Sequence, residues 1–204
     1  MKFLKYAFFV ILGLIVIFFA IGLLCPTIEY GTEITVDKPI KEAWAVSQDD
    51  SKYDQWLEGF KSIELIEGEE YEVGSKYKVV VNPGEGQPDF EMIETILDVK
   101  EFEHIEMHFD SDMMDFNQKI ILSENDGKTT IKTESSVSPK GMFLKSMFCL
   151  SEMLGGAFTK QEAKNYEGLK RVIEENTTDY FPEPEVVETA EEGAAEGAAE
   201  AGEQ

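Results

Sequence analysis

His104, Glu106 and His108 alternate along one stretch of chain, so on an extended strand all three project from the same face, a spacing that a metal site could use. The residues between them, Ile105, Met107 and Phe109, make the apolar face that a core would claim, which turns both histidines toward solvent. The chain has 2 histidines in all, too few for an imidazole set with its orienting partners, so neither a metal site nor a cofactor is expected. Nucleophilic and phosphate chemistry are no better served. There is no Gly-x-Ser-x-Gly elbow, phosphate loop or dinucleotide fingerprint, and Cys149 lies in an apolar stretch that disfavours the thiolate. Glu94 and Glu134 remain as catalytic candidates, because a carboxyl turned into an apolar cavity is pushed toward the range useful for general acid–base work. The parity of Glu94 stays open: Ile93, Leu97 and Val99 make one apolar face of its strand, and Phe90, Met92 and Ile96 the other.

These residues belong to a chain of 204 residues with 18 basic and 41 acidic side chains and a formal net charge of −23. Such a chain repels phosphate backbones, which argues against nucleic acid as a partner. Between two unusual ends it leaves roughly 150 residues, enough for one compact domain with a proper core.

At the N-terminal end, Tyr6 to Leu24 is a run of 19 residues without a charge. As a helix it spans roughly 28 Å, close to the hydrocarbon thickness of a bilayer, so residues 1–26 read as a membrane anchor crossing through residues 6–24. Lys2 and Lys5 precede the run while Glu29, Glu33 and Asp37 follow it, which puts the N-terminus in the cytoplasm and the domain on the extracytoplasmic side. A cleaved signal peptide is the alternative. Its apolar core is usually shorter, although Ala20-Ile21-Gly22 carries small residues where cleavage would need them. Cys25 follows Leu24 rather than the small residue a lipidation site wants and is read as an ordinary interfacial residue. With Cys149 the only other cysteine, no disulfide framework is expected. At the other end, residues 179–204 form a Glu/Ala/Gly tail without a basic residue, a composition that cannot fund a core and predicts disorder.

Residues 27–178 read as an α+β domain. Thr27–Val36 alternates as a half-buried strand, Pro39 opens a short helix through Trp44, and a further helical turn covers Tyr53–Leu57. Six strands are predicted at Ser62–Glu67, Ser75–Val81, Phe90–Lys100, His104–Asp110, Phe116–Glu124 and Thr129–Ser138, with Asn125-Asp126-Gly127 as a hairpin turn. Beyond Gly141, apolar residues at Met147, Leu150, Leu154, Phe158, Tyr166, Leu169 and Ile173 predict one long amphipathic helix, skipped by one turn at Glu162. Gly155-Gly156 predicts a bend in it. The first half of that helix is apolar on nearly every side and must be surrounded by sheet, by a bound molecule or by membrane.

The run Ile34-Thr35-Val36-Asp37-Lys38-Pro39-Ile40-Lys41-Glu42-Ala43-Trp44, then Tyr53-Asp54-Gln55-Trp56 and Glu72-Val73-Gly74-Ser75-Lys76-Tyr77, resembles the START-like SRPBCC superfamily, in particular its polyketide cyclase/dehydrase branch. The likeness covers residues 28–176, and its motifs recognise a fold better than an activity. It implies a helix-grip fold, in which a curved seven-stranded antiparallel sheet holds a long C-terminal helix and leaves a cavity between them. On that analogy the chain is a membrane-tethered module that binds a small hydrophobic or amphipathic, lipid-like molecule. Trp56, Tyr77, Met107, Leu150, Leu154 and Phe158 are the expected wall, with Trp56 nearest the entrance. Seven of the 8 methionines lie beyond residue 91, which suits an adaptable lining, and Met113-Met114 reads either as a lip over the cavity mouth or as a packed turn. Two alternatives stand beside this reading: a protein-interaction or stress-accessory factor with a filled core, and a cyclase or dehydratase using a cavity carboxylate.

Overall fold

A computed structural model describes residues 2–82, 84 and 86–182 of the chain. The elements run α1 (Lys2–Leu24), β1 (Ile28–Tyr30), β2 (Glu33–Val36), α2 (Ile40–Gln48), a 3-10 turn (Asp50–Gln55), β3 (Phe60–Glu67), β4 (Lys76–Val81), β5 (Phe90–Lys100), β6 (His104–Asp110), β7 (Met114–Asn125), β8 (Lys128–Pro139), α3 (Met142–Gly155) and α4 (Ala157–Glu174). The acidic tail expected at 179–204 lies, from residue 183 onward, outside the described residues.

Every strand pairing is antiparallel, in the order β1-β8-β7-β6-β5-β4-β3, with β2 also on β8. The single strand predicted over Thr27–Val36 is thus two short ones in a common register, with Tyr30 opposite Ser135 and Glu33 opposite Lys132. Gly31 and Thr32 interrupt the ladder. A Cβ on Gly31 would lie 2.4 Å from the Thr133 carbonyl oxygen, and the Thr32 amide donates to Thr133 Oγ1 at 2.8 Å. The β7–β8 hairpin turns on Asp126 and Gly127, both at positive φ, the two-residue geometry for which Asp-Gly is suited.

Helix α2 starts at Pro39, whose own side chain caps nothing; the Glu124 carboxylate of β7 accepts the Ile40 amide at 2.7 Å instead. The core gathers Val36, Val46, Ile96, Ile105, Ile131, Leu169 and Ile173 between α2, the concave face of the sheet and the C-terminal half of α4. The N-terminal half of α4 lies over the same sheet farther along. There the packing opens.

One long C-terminal helix was expected; the chain makes two. Gly156, in the left-handed region at φ 61°, ends α3, and the Glu152 carboxylate accepts from the Phe158 amide at 2.8 Å and from Thr159 Oγ1 at 2.6 Å, capping α4. The break frees α3 from the sheet and lays it against α1. The two run parallel in a regular register: Phe18 and Phe143 rings sit 5.7 Å apart, Gly22 is buried against Ser146, and Cys25 is disulfide-bonded to Cys149. This bond corrects the expectation that the two cysteines make no disulfide framework. Their separation of 124 residues hid a contact that exists only because α3 leaves the sheet.

Candidate functional site

Between the inner face of the sheet and the N-terminal half of α4 lies a cavity of about 260 Å³. Alternation supplies most of its wall: Ile105, Met107 and Phe109 of β6 point inward, as do Phe116, Gln118 and Ile120 of β7. Trp56 closes one side. It follows the 3-10 turn, stacks edge-on against Tyr53 and Tyr166, and sits close to α4 because Gly168 has no side chain: a Cβ there would meet the Trp56 backbone at 3.2 Å.

Strand β5 resolves the two-faced pattern around Glu94 with a bulge between Ile96 and Asp98. Met92, Glu94 and Ile96 face inward before it and Val99 after it, leaving Leu97 exposed at the irregularity. Glu94 therefore projects into the cavity, 8% exposed, and burial alone pushes its carboxyl up to about 7.

The opposite wall holds a polar group that the sequence reading did not select. Glu162 of α4 is 6% exposed, and its Oε1 accepts from Ser135 Oγ at 2.9 Å and from Gln118 Nε2 at 3.4 Å. Its Oε2, the Tyr166 hydroxyl and Trp56 Nε1 are buried without a hydrogen-bond partner among the described residues. Burial, then the negative charges of Glu162 and Glu152, hold the Tyr30 phenol above its ordinary range, and burial with Glu162 does the same for Tyr166. Buried polar groups ordinarily find partners, so three unpartnered atoms on residues that line one cavity set this part of the interior apart. The skipped turn at Glu162 in the apolar spacing of the last helix was the one sequence signal for this group.

Of the expected wall residues, Trp56, Met107 and Phe158 line the cavity. Tyr77 lines an adjoining space of about 170 Å³ that shares Glu94 and Met107 with it, and its hydroxyl accepts the Tyr71 amide at 2.8 Å. Leu150 and Leu154 do not reach the cavity. Both belong to α3: Leu150 faces the groove shared with α1, and Leu154 is 81% exposed. Glu134 is also corrected, since the parity that turns Thr133 and Ser135 inward turns it outward, where Lys132 lies at 2.8 Å and holds its carboxyl below the ordinary range. His104 and His108 stand on the outer face, hydrogen-bonded to Asp98 at 2.9 Å and Asn117 at 2.8 Å. Among the described residues no cluster of His, Cys, Asp or Glu could hold a metal ion. Met113-Met114 forms a turn held by Ser111 and Lys140, away from the cavity lining.

This architecture is that of known helix-grip proteins. Among solved structures, the chain resembles Ara h 8.0201 at 18% identity and a TM-score of 0.54, over 72% of this chain and 95% of that one. It resembles a conserved protein from Geobacillus kaustophilus at 23% identity and a TM-score of 0.56, with the same shares covered. The di-domain ARO/CYC BexL from the BE-7585A biosynthetic pathway matches at 13% identity and a TM-score of 0.56, over 74% of this chain and 51% of that one. No protein-family model matches the sequence, and no curated protein matches it. The likeness establishes the fold, an antiparallel sheet gripping C-terminal helices. Ahead of it the chain has one apolar helix, Lys2–Leu24, of a length and composition that a membrane span or a signal sequence would have.

Proposed function

We propose that the chain is a membrane-tethered binding module whose cavity takes a small, largely apolar molecule between sheet and α4. The observation that carries this reading is the cavity itself: an apolar wall interrupted by a few polar side chains, Glu94, Gln118 and Glu162 among them, the usual make-up of a small-molecule site. Tethering is supported by α1, whose side chains are apolar and largely exposed, and by the positive flank at Lys2 and Lys5. The disulfide between Cys25 and Cys149 supports an oxidising, extracytoplasmic compartment for the domain, in accord with that flank. It also holds α3, with Phe143, Met153 and Leu154 exposed, beside the end of the span. Native mass spectrometry of the full chain released gently from membranes tests the reading. Retention of a small molecule that leaves on denaturation supports it; a bare chain at every release energy, with no uptake on adding short-chain alcohols, refutes it.

A second reading has one observation in its favour. Glu94, with its carboxyl near 7 inside an apolar pocket, has the protonation behaviour of a general acid–base group, which fits a cyclase- or dehydratase-type reaction. Loss of turnover in Glu94→Gln with ligand binding retained would support it, and turnover unaffected by that change would remove it.

A further inference from the structure

Every charged residue lining the cavity is acidic: Glu58 at the mouth, Glu94 on one wall and Glu162 on the other, with no Lys, Arg or His among the described lining residues. Glu58 is already engaged by Lys164 at 2.7 Å. Glu162 is different. It is buried, no basic side chain pairs with it among the described residues, and neutral donors from Ser135 and Gln118 satisfy only one of its oxygens. An unpaired acidic group in an apolar enclosure is costly to keep, and a cation on its free oxygen relieves that cost more than a neutral donor can. An anionic head at the same place would meet the like charge of Glu162, with no basic side chain among the described lining residues to offset it.

We infer that the cavity selects molecules with a cationic amine head on an apolar body, the head drawn to the Glu162 carboxylate and the body against Met107, Phe116 and Phe158, and that it turns away fatty-acid-like anions. This assignment rests on the cavity being a binding site and adds the charge of its ligand. The apolar body explains why the rest of the wall is Ile, Met and Phe rather than a second set of polar groups.

The test uses three probes of equal chain length, octylamine, 1-octanol and octanoate, on the full chain in nanodiscs of zwitterionic phosphatidylcholine. Empty discs calibrate how much of each probe enters the lipid. The readout is the indole N–H resonance of Trp56, which borders the cavity and has no partner among the described residues. We expect saturable shifts with octylamine at concentrations at least tenfold lower than with 1-octanol, and none with octanoate. In Glu162→Gln, which keeps the shape and the acceptor for Ser135, octylamine affinity falls at least tenfold while 1-octanol changes less than threefold. Octanoate binding as well as octylamine in the wild-type protein overturns the charge assignment, and this comparison needs no variant to fold. Equal octylamine affinity in Glu162→Gln overturns the role of that residue. If none of the three moves Trp56, the binding reading itself fails and the ligand class falls with it.

Discussion

Replacing Glu94 with Gln should stabilise the protein, by an amount that grows as pH rises from about 4.5 toward 7. The carboxyl sits in the cavity wall, and burial raises it from an ordinary 4.5 to about 7. At roughly 1.4 kcal/mol per pH unit, the difference corresponds to about 3 kcal/mol between the two protonation states. The direction follows from proton counts. Between pH 4.5 and 7 the unfolded chain has released the Glu94 proton while the folded chain keeps it, so stability from this group is complete below 4.5 and is lost as pH rises through 7. Glu94→Gln removes that loss. Its advantage over the wild type should be near zero at about pH 4.5, grow across the interval and level off at up to about 3 kcal/mol above pH 7, reduced by whatever the buried amide costs. Comparing the two proteins at each pH cancels the carboxylates that pull the other way, such as Glu42 and Asp49, which hydrogen bonds and nearby lysines hold below their ordinary range against the cost of burial. Guanidinium unfolding of the full chain in mild detergent, followed by tryptophan fluorescence from about pH 4.5 to about 8, measures the difference. A pH-independent difference, or a variant less stable at pH 8, would refute the burial of an unpaired Glu94.

Other perturbations probe the remaining parts. Met107→Trp should fill the cavity, cutting 1-octanol binding at least tenfold at a cost of about 1–3 kcal/mol in stability; unchanged binding would remove Met107 from the wall. Cys149→Ser should lower stability by about 5 kcal/mol at the chain-entropy limit for a loop this long and abolish the effect of reductant on thermal unfolding; equal reductant sensitivity would show that the bond does not form. In Gly22→Leu the new Cβ falls 2.4 Å from Ser146 Oγ and 2.8 Å from the Ser146 backbone nitrogen, so α1 and α3 must separate. Amide exchange in α3 should then speed up at least tenfold, and unchanged protection would contradict the close helix contact.

What the sequence made legible was whatever follows from alternation and turn chemistry. The six predicted strands after Gly59 match β3 to β8 to within two residues at each end, because one face of each is apolar and Asp126-Gly127 can adopt positive φ. The inward parity of Met107 came from the same alternation. Departures arose where one residue breaks the period or where partners are remote. Leu97 reads as part of an apolar face, but the bulge beside it throws it outward and leaves the inward place to Glu94. Gly31 divides the first strand for lack of room at Thr133. The apolar surface of α3 was legible, and its partner was not: nothing local to Leu150 or Cys149 reveals that α1, more than a hundred residues away, takes the side that sheet was expected to cover. Glu162 was visible only as a gap in a helical stripe, since its significance depends on Ser135 and Gln118 arriving from two other strands.

A crystal structure of the full chain, grown from lipid, decides whether the cavity holds a guest. Non-protein density is expected between Met107 and Phe158, with an atom in hydrogen-bond range of the Glu162 carboxylate. Trp56 or Phe158 swung onto Glu162, filling the space with side chains at ordinary packing density, would contradict it.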